Sequence, residues 1–253
     1  MRFASLGSGS RGNALLVEAG RTRILLDCGF SVRETETRLA RLGVEARQLD
    51  AILVTHEHDD HVGGVARLAA RHGIPVWLTH GTLRAAPAVS AAELRVFDPH
   101  QRFTLGDLEV EPFPVPHDAA EPAQYVFGDG AHRLGVLTDI GEPTPHVAAT
   151  LSGCDALVLE CNHDAEMLAR GPYAPPLKRR IAGRLGHLDN GTAAALLASL
   201  DNRRLRHLVA SHLSETNNTP ELARNALARA LGCEPGWIGV ASQDSGFGWR
   251  EMR

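Results

Sequence analysis

The sequence predicts an α/β fold with its site at the ends of strands, and three observations predict it. The run Ile52-Leu53-Val54-Thr55 is apolar and rich in strand formers, as a strand buried on both faces is, and it ends abruptly in His56-Glu57-His58-Asp59-Asp60-His61. Gly63-Gly64 and the apolar Val65, Leu68 and Ala69 then open a helix. An acid closes two other apolar runs, Asp27 after Ile24-Leu25-Leu26 and Asp139 after Leu134-Gly135-Val136-Leu137-Thr138. Open α/β sheets place their sites at the carboxyl ends of strands, so these ends are the candidate site.

The remaining elements follow in chain order. Residues 3–6 read as a first strand, too short and too early in glycine for a signal peptide. Gly7-Ser8-Gly9-Ser10-Arg11-Gly12-Asn13 is a tight polar loop. It is either a plain hairpin turn or a substrate-facing loop offering Ser8, Ser10 and Asn13, and it lacks the Walker pattern. Strands are predicted over 14–18 and 22–28, turned at Ala19-Gly20-Arg21, and a helix over 31–42 stopped by Gly43. After the histidine cluster come a helix over 65–72 stopped by Gly73, a strand over 75–78 and a short helix over 80–86. Two strands within 103–115 turn at Gly106-Asp107, and the second runs into Pro116-His117-Asp118. Strands follow over 125–127, 133–138 and 156–160. Gly171, Pro172, Pro175 and Pro176 make 167–178 mostly loop, followed by the basic trio Lys178-Arg179-Arg180. A helix through Ser199 begins after His187, with Asn190 or Thr192 as its N-cap. A last buried strand over 205–210 leads to Ser211-His212, and the final helix covers 220–231 with Glu221 in its first turn.

With 253 residues and 43% hydrophobic content, the chain suits one domain, 1–253, with a substantial core. No apolar run approaches the roughly 18 residues of a membrane span. Cys28, Cys154, Cys161 and Cys233 form no C-x-x-C pair, which fits reduced thiols in a cytoplasm. A net charge of −4 gives no global basic field for nucleic acid, although bound metals make a site locally positive.

Imidazole nitrogens and carboxylate oxygens at His-x-His-x-Asp-His spacing suit two first-row divalent ions side by side. On an extended loop His56 and His58 would face one ion, and Asp60 and His61 the other. The competing reading is a solvated polar loop, or histidines satisfied by hydrogen bonds, which the buried strand directly before the cluster and the helix-start glycines after it disfavour. Asp27 at its strand end must be paired or lie near a cation.

Thr55-His56-Glu57-His58-Asp59-Asp60-His61-Val62-Gly63-Gly64 resembles the signature of the metallo-β-lactamase superfamily. The resemblance implies a four-layer αββα sandwich and two divalent ions, Zn²⁺ or Mn²⁺. It assigns His56, His58 and His117 to one ion, Asp60, His61 and His212 to the other, and Asp139 to a bridge between them. Asp27 would hold the histidine loop through hydrogen bonds. Two divalent ions, two carboxylates and a bridging hydroxide leave a residual charge of about +1, which matches one phosphodiester. The hydroxide would attack phosphorus in line while Asp60 accepts or directs its proton. His187 resembles the helper histidine of the ribonuclease Z group and is the candidate acid for the leaving oxygen; the competing reading is a surface histidine at a helix start.

A longer resemblance is carried by Leu6 to Asn13, Leu159-Glu160-Cys161-Asn162-His163-Asp164, Pro176-Leu177-Lys178-Arg179-Arg180-Ile181 and His212-Leu213-Ser214-Glu215-Thr216-Asn217-Asn218. These segments look like the YycJ (WalJ) branch, which implies a cytoplasmic 5′-to-3′ exonuclease acting on DNA rather than RNA. Asp189 and Ile140 depart from the expected pattern without touching a ligand position. Lys178, Arg179 and Arg180 are candidate contacts to backbone phosphates, Lys178 and Arg179 foremost. The alternatives are a small-molecule phosphodiesterase, a glyoxalase-type thioester hydrolase, and a binding module on a dead site, which the complete ligand set opposes. The sequence leaves the oligomeric state open.

Overall fold

The computed structural model describes residues 1–91 and 93–252, so the predicted domain end at Arg253 lies outside the described residues. The chain lays down six strands of one sheet: β1 (Arg2–Gly7), β2 (Ala14–Ala19), β3 (Thr22–Leu26), β4 (Ala51–Leu53), β5 (Val76–Thr79) and β6 (Leu94–Phe97). It then builds a second sheet from β7 (Phe103–Leu105), β8 (Leu108–Pro114), β9 (Ala123–Gly128), β10 (Arg133–Leu137), β11 (Ala156–Glu160), β12 (His207–Ser211) and β13 (Gly239–Val240). Finally β14 (Phe247–Glu251) returns to pair with β1 at the edge of the first sheet. The strand orders are β14-β1-β2-β3-β4-β5-β6 and β13-β12-β11-β10-β9-β8-β7.

Both faces of each sheet are buried along its central strands, and strand alternation divides the side chains between them. Leu15, Val17, Ile24 and Leu26 meet Tyr125, Phe127, Val136 and Val158 in the core between the sheets. Their neighbours Leu16 and Leu25 turn to an outer core with Leu39, Val65 and Leu68, which lie on the helices α1 (Val32–Arg41) and, beyond the short α2 (Asp59–Val62), α3 (Val65–His72). After α4 (His80–Ala85), the helices α5 (Pro145–Leu151), α6 (Ala165–Arg170), α7 (Pro175–Ile181), α8 (Asn190–Ser199) and α9 (Pro220–Leu231) follow the second sheet. Val147 of α5, Leu196 of α8 and Leu227 of α9 pack on that sheet's outer face. The result is the predicted αββα sandwich. Among the described residues no helix is long and apolar enough to cross a membrane.

Three local expectations are corrected. The stretch 167–178 is mostly helical, because Pro175 and Pro176 occupy the first turn of α7, where the missing N–H costs nothing. Asp189, rather than Asn190 or Thr192, caps α8 by accepting from the Gly191 and Thr192 amides. The histidine segment is not extended throughout: Asp59–Val62 makes one helical turn, which brings Asp60 and His61 to His212 while the His61 ring stays 4.3 Å from that of His56. A Cβ on Gly64, at the start of α3, would strike the Phe30 carbonyl oxygen, so glycine there lets the loop after β3 press against the histidine segment.

Candidate metal centre

Strands β3 and β4 are parallel, as are β10, β11 and β12, so their carboxyl ends meet at one rim of the sandwich. Asp27, Thr55–His61, Asp139, Glu160 and His212 leave from these ends. Asp27, Asp139 and His212 have φ of 60°, 51° and 53°, the non-glycine residues with positive φ among those described. Left-handed backbone is costly for such side chains and collects at functional sites.

Two groups of ligand atoms converge. His56 Nε2 lies 3.0 Å from His58 Nδ1, which lies 3.3 Å from His117 Nε2. The second group is Asp60, His61 and His212, with His212 Nε2 3.3 Å from Asp60 Oδ2. Asp139 touches both groups: its ligand atom falls within 4.8 Å of those of His56 and His61, and of His212 with His187 and Glu160. All seven ligand positions predicted from the sequence are thereby brought together.

The protonation pattern decides what this arrangement accepts. Thr55 Oγ1 gives its hydrogen to Asp27 Oδ2, so at 2.9 Å it accepts from His56 Nδ1. His117 Nδ1 donates to the Gly186 carbonyl at 3.1 Å. The Nε2 atoms of neutral His56 and His117 are therefore both lone pairs, aimed at the same point as His58 Nδ1. Burial holds His56 and His117 below the ordinary histidine value, which keeps them neutral. His61 Nδ1 donates to Asp27 Oδ2 at 2.8 Å, leaving its Nε2 lone pair 3.0 Å from Asp139 Oδ2 and 3.4 Å from Asp60 Oδ2. Lone pairs and carboxylates facing one another repel unless a cation stands between them, so the donor set fits divalent metal. Burial opposes a proton on His61 and His212, but Asp139 and the neighbouring carboxylates outweigh it, raising His212 to about 10. A proton there answers the same demand for positive charge.

The supporting residues explain the geometry. Burial pushes the Asp27 carboxyl up, yet it accepts from Thr55 N, Thr55 Oγ1 and His61 Nδ1, which hold it as a carboxylate beneath the histidine segment. Ser8 and Asn13, candidate substrate contacts in the sequence, turn inward instead. Ser8 Oγ accepts from His212 N at 2.8 Å and donates to Asn13 Oδ1, while Asn13 Nδ2 donates to Asp60 Oδ2 at 3.2 Å. Of that loop Ser10 lines the cleft, a cavity of about 420 Å³ in front of the ligand cluster.

His187 lines the same cleft. Its Nδ1 donates to Glu160 Oε1 at 2.8 Å and lies 3.4 Å from Asp139 Oδ1. Burial opposes its charge, but Glu160 and Asp139 raise it above the ordinary histidine value. Glu160 was not among the residues expected at the site, although it ends an apolar strand as Asp27 and Asp139 do. The basic trio also divides unexpectedly. Lys178 Nζ donates to the Ala169 carbonyl, closing the end of α6, and Arg179 is exposed away from the cleft lining. Arg180 is the member that lines the cleft, its Nε 2.6 Å from Asp118 Oδ2.

Residues 22–212 match the family described as a β-lactamase superfamily domain. The chain belongs to that superfamily. It is a hydrolase of the metallo-β-lactamase fold, and divalent metal is what that fold implies for the cluster. It is 36% identical over 235 residues to exodeoxyribonuclease YycJ of Bacillus anthracis, covering 91% of this chain and 89% of that one. It is 35% identical over 246 residues to exodeoxyribonuclease WalJ of Streptococcus pneumoniae, covering 94% and 91%. The metallo-β-lactamase fold protein YhfI of Bacillus subtilis superposes with a TM-score of 0.79 over 99% of both chains at 18% identity.

Asp27 offers a direct check of the support beneath the cluster. Asp27→Asn tolerates the left-handed backbone but cannot accept all three hydrogen bonds. It is expected to weaken metal binding by about 10- to 100-fold, read by calorimetric titration of the stripped protein, with melting temperature recorded alongside. Unchanged affinity would show that the histidine segment holds itself.

Proposed function

We propose that the protein is a two-metal phosphodiesterase acting on nucleic acid, a 5′-to-3′ exodeoxyribonuclease of the cytoplasm. The observation that carries this is the double ligand cluster sharing Asp139, with a protonatable His187 beside it in an open cleft. The near full-length similarity to two exodeoxyribonucleases supports DNA as the polymer. His56, His58 and His117 would hold one ion, Asp60, His61 and His212 the other, and Asp139 would face both. Zn²⁺ or Mn²⁺ suits these N/O donors, and would supply a nucleophile at neutral pH and stabilisation of phosphoryl charge.

The chain's own residues do the rest. Asp60, on its helical turn, takes up or directs the proton of the attacking water. His187 has one nitrogen committed to Glu160, so its Nε2 carries the proton available to the leaving oxygen. Glu160 stabilises the imidazolium and fixes the ring. Arg180 and Ser10, at the cleft wall, contact phosphate beyond the scissile bond.

End-labelled single- and double-stranded DNA and RNA, digested with added Mn²⁺ or Zn²⁺, test this reading beside bis-(p-nitrophenyl) phosphate and a thioester. Nucleotides released progressively from the 5′ end of DNA are expected. Thioester hydrolysis without diester cleavage would overturn the proposal, and RNA cleaved in preference to DNA would replace its substrate.

The cleft wall carries its own prediction. Arg180→Ala is expected to flatten the dependence of log affinity on log salt by about 0.7–0.9, the value of one phosphate contact. Lys178→Ala, occupied with Ala169, should leave that slope unchanged. The reverse pattern, measured by fluorescence anisotropy on a labelled strand, would return the phosphate role to Lys178.

A further inference from the structure

The cleft in front of the ligand cluster has one apolar wall, and nothing in the hydrolytic chemistry requires it. Tyr173, Leu177 and Ile181 line it. Leu177 and Ile181 are one helical turn apart on α7, with Arg180 on the same face. Tyr173 lies in the turn between α6 and α7, half-buried, and its hydroxyl makes no hydrogen bond to another of the described residues. Leu177 is 39% exposed although it stands beside a dense cluster of charge.

We propose that Tyr173 and Leu177 form a stacking shelf for the nucleobase next to the scissile phosphate, so that the enzyme grips a single-stranded end by its base. This rests on the nuclease reading above and deepens it. An aromatic face beside an aliphatic one accepts any base, and Arg180 on the same helix face meets the phosphate attached to it. The cavity of about 420 Å³ lies low in the range of small-ligand pockets, with room for about one or two nucleotides and not for a duplex.

The shelf is also mechanically joined to the proposed acid. His187 N donates to the Ile181 carbonyl at 2.8 Å, and Gly186 N to Gly183 O at 2.8 Å. A Cβ on Gly186 would fall on the carbonyl oxygens of Arg180 and Ile181, so only glycine lets the His187 segment close onto the end of α7. Lys178 pins α7 to α6 through Ala169 O. A base seated on the shelf therefore fixes the distance of its own phosphate from His187.

The test compares a single-stranded oligodeoxynucleotide with the same strand carrying abasic residues at the two nucleotides flanking the first scissile bond. On wild-type protein the abasic strand should lose about tenfold or more in kcat/KM, the size of one lost stack. Tyr173→Ala should show that loss on the normal strand and little further loss on the abasic one, while Tyr173→Phe keeps wild-type behaviour. Leu177→Ala, which truncates an exposed side chain and leaves the core intact, should act in the same direction. An abasic penalty equal in wild type and both alanine variants would overturn the shelf while leaving the nuclease reading in place. Failure of wild-type protein to cleave any strand would overturn that reading and the shelf with it.

Discussion

Asp139→Asn is expected to abolish hydrolysis and remove most bound metal together. Asp139 is 2% exposed and stands within reach of both ligand groups. Its φ of 51° suits asparagine, so the backbone is preserved and the change is chiefly one of charge. The amide removes the negative charge that divalent ions held by the two ligand groups need between them. The loss should exceed the roughly 10- to 100-fold typical of an outer-shell partner. Metal analysis on the purified variant beside its activity checks the prediction; full occupancy with full activity would remove Asp139 from the centre.

His187→Ala is expected to slow cleavage of a natural strand by about 10²–10⁴-fold while both metals stay bound. The variant should hydrolyse bis-(p-nitrophenyl) phosphate almost normally, because nitrophenolate leaves without a proton whereas a nucleotide alkoxide does not. Equal losses on the two substrates would make His187 an orienting group instead. Glu160 supplies an independent check through pH. Its carboxylate raises His187, so the protonated acid persists above the ordinary histidine range and activity is lost as pH rises through the folded value. Glu160→Gln removes that support, and the alkaline limb of the rate profile should move to lower pH. A limb that stays in place would detach the profile from His187.

Most candidate ligands were legible because they cluster within one short segment or end apolar runs, while His117 and His212 were assigned through the family resemblance. His56 to His61 declare themselves by spacing, and Asp27 and Asp139 by the strands they close. Helices with punctuated ends were equally legible: Gly73 stops α3, and α9 covers Pro220–Leu231 with Glu221 in its first turn as the pattern predicts. The cleft wall was not, and α7 shows why. Two prolines read as breakers when they occupy the first turn of a helix. Without the helix there is no face, so nothing in the sequence separates Lys178 from Arg180. Once α7 forms, Leu177, Arg180 and Ile181 share the side toward the cleft while Lys178 is rotated toward α6. Glu160 was hidden for a different reason. Its partners His187 and His212 reach it only because β11 pairs with β12 and the loop after α7 folds over the strand end. Ser8 and Asn13 likewise sit in a loop whose composition does not say which way it faces.

The most direct measurement is a titration of metal-stripped protein with Mn²⁺, followed by electron paramagnetic resonance. Two facing ligand sets joined by Asp139 predict uptake of close to two equivalents and the broadened, exchange-coupled signal of neighbouring ions. Uptake of one equivalent with the isolated six-line signal of a single Mn²⁺ would contradict the dinuclear centre.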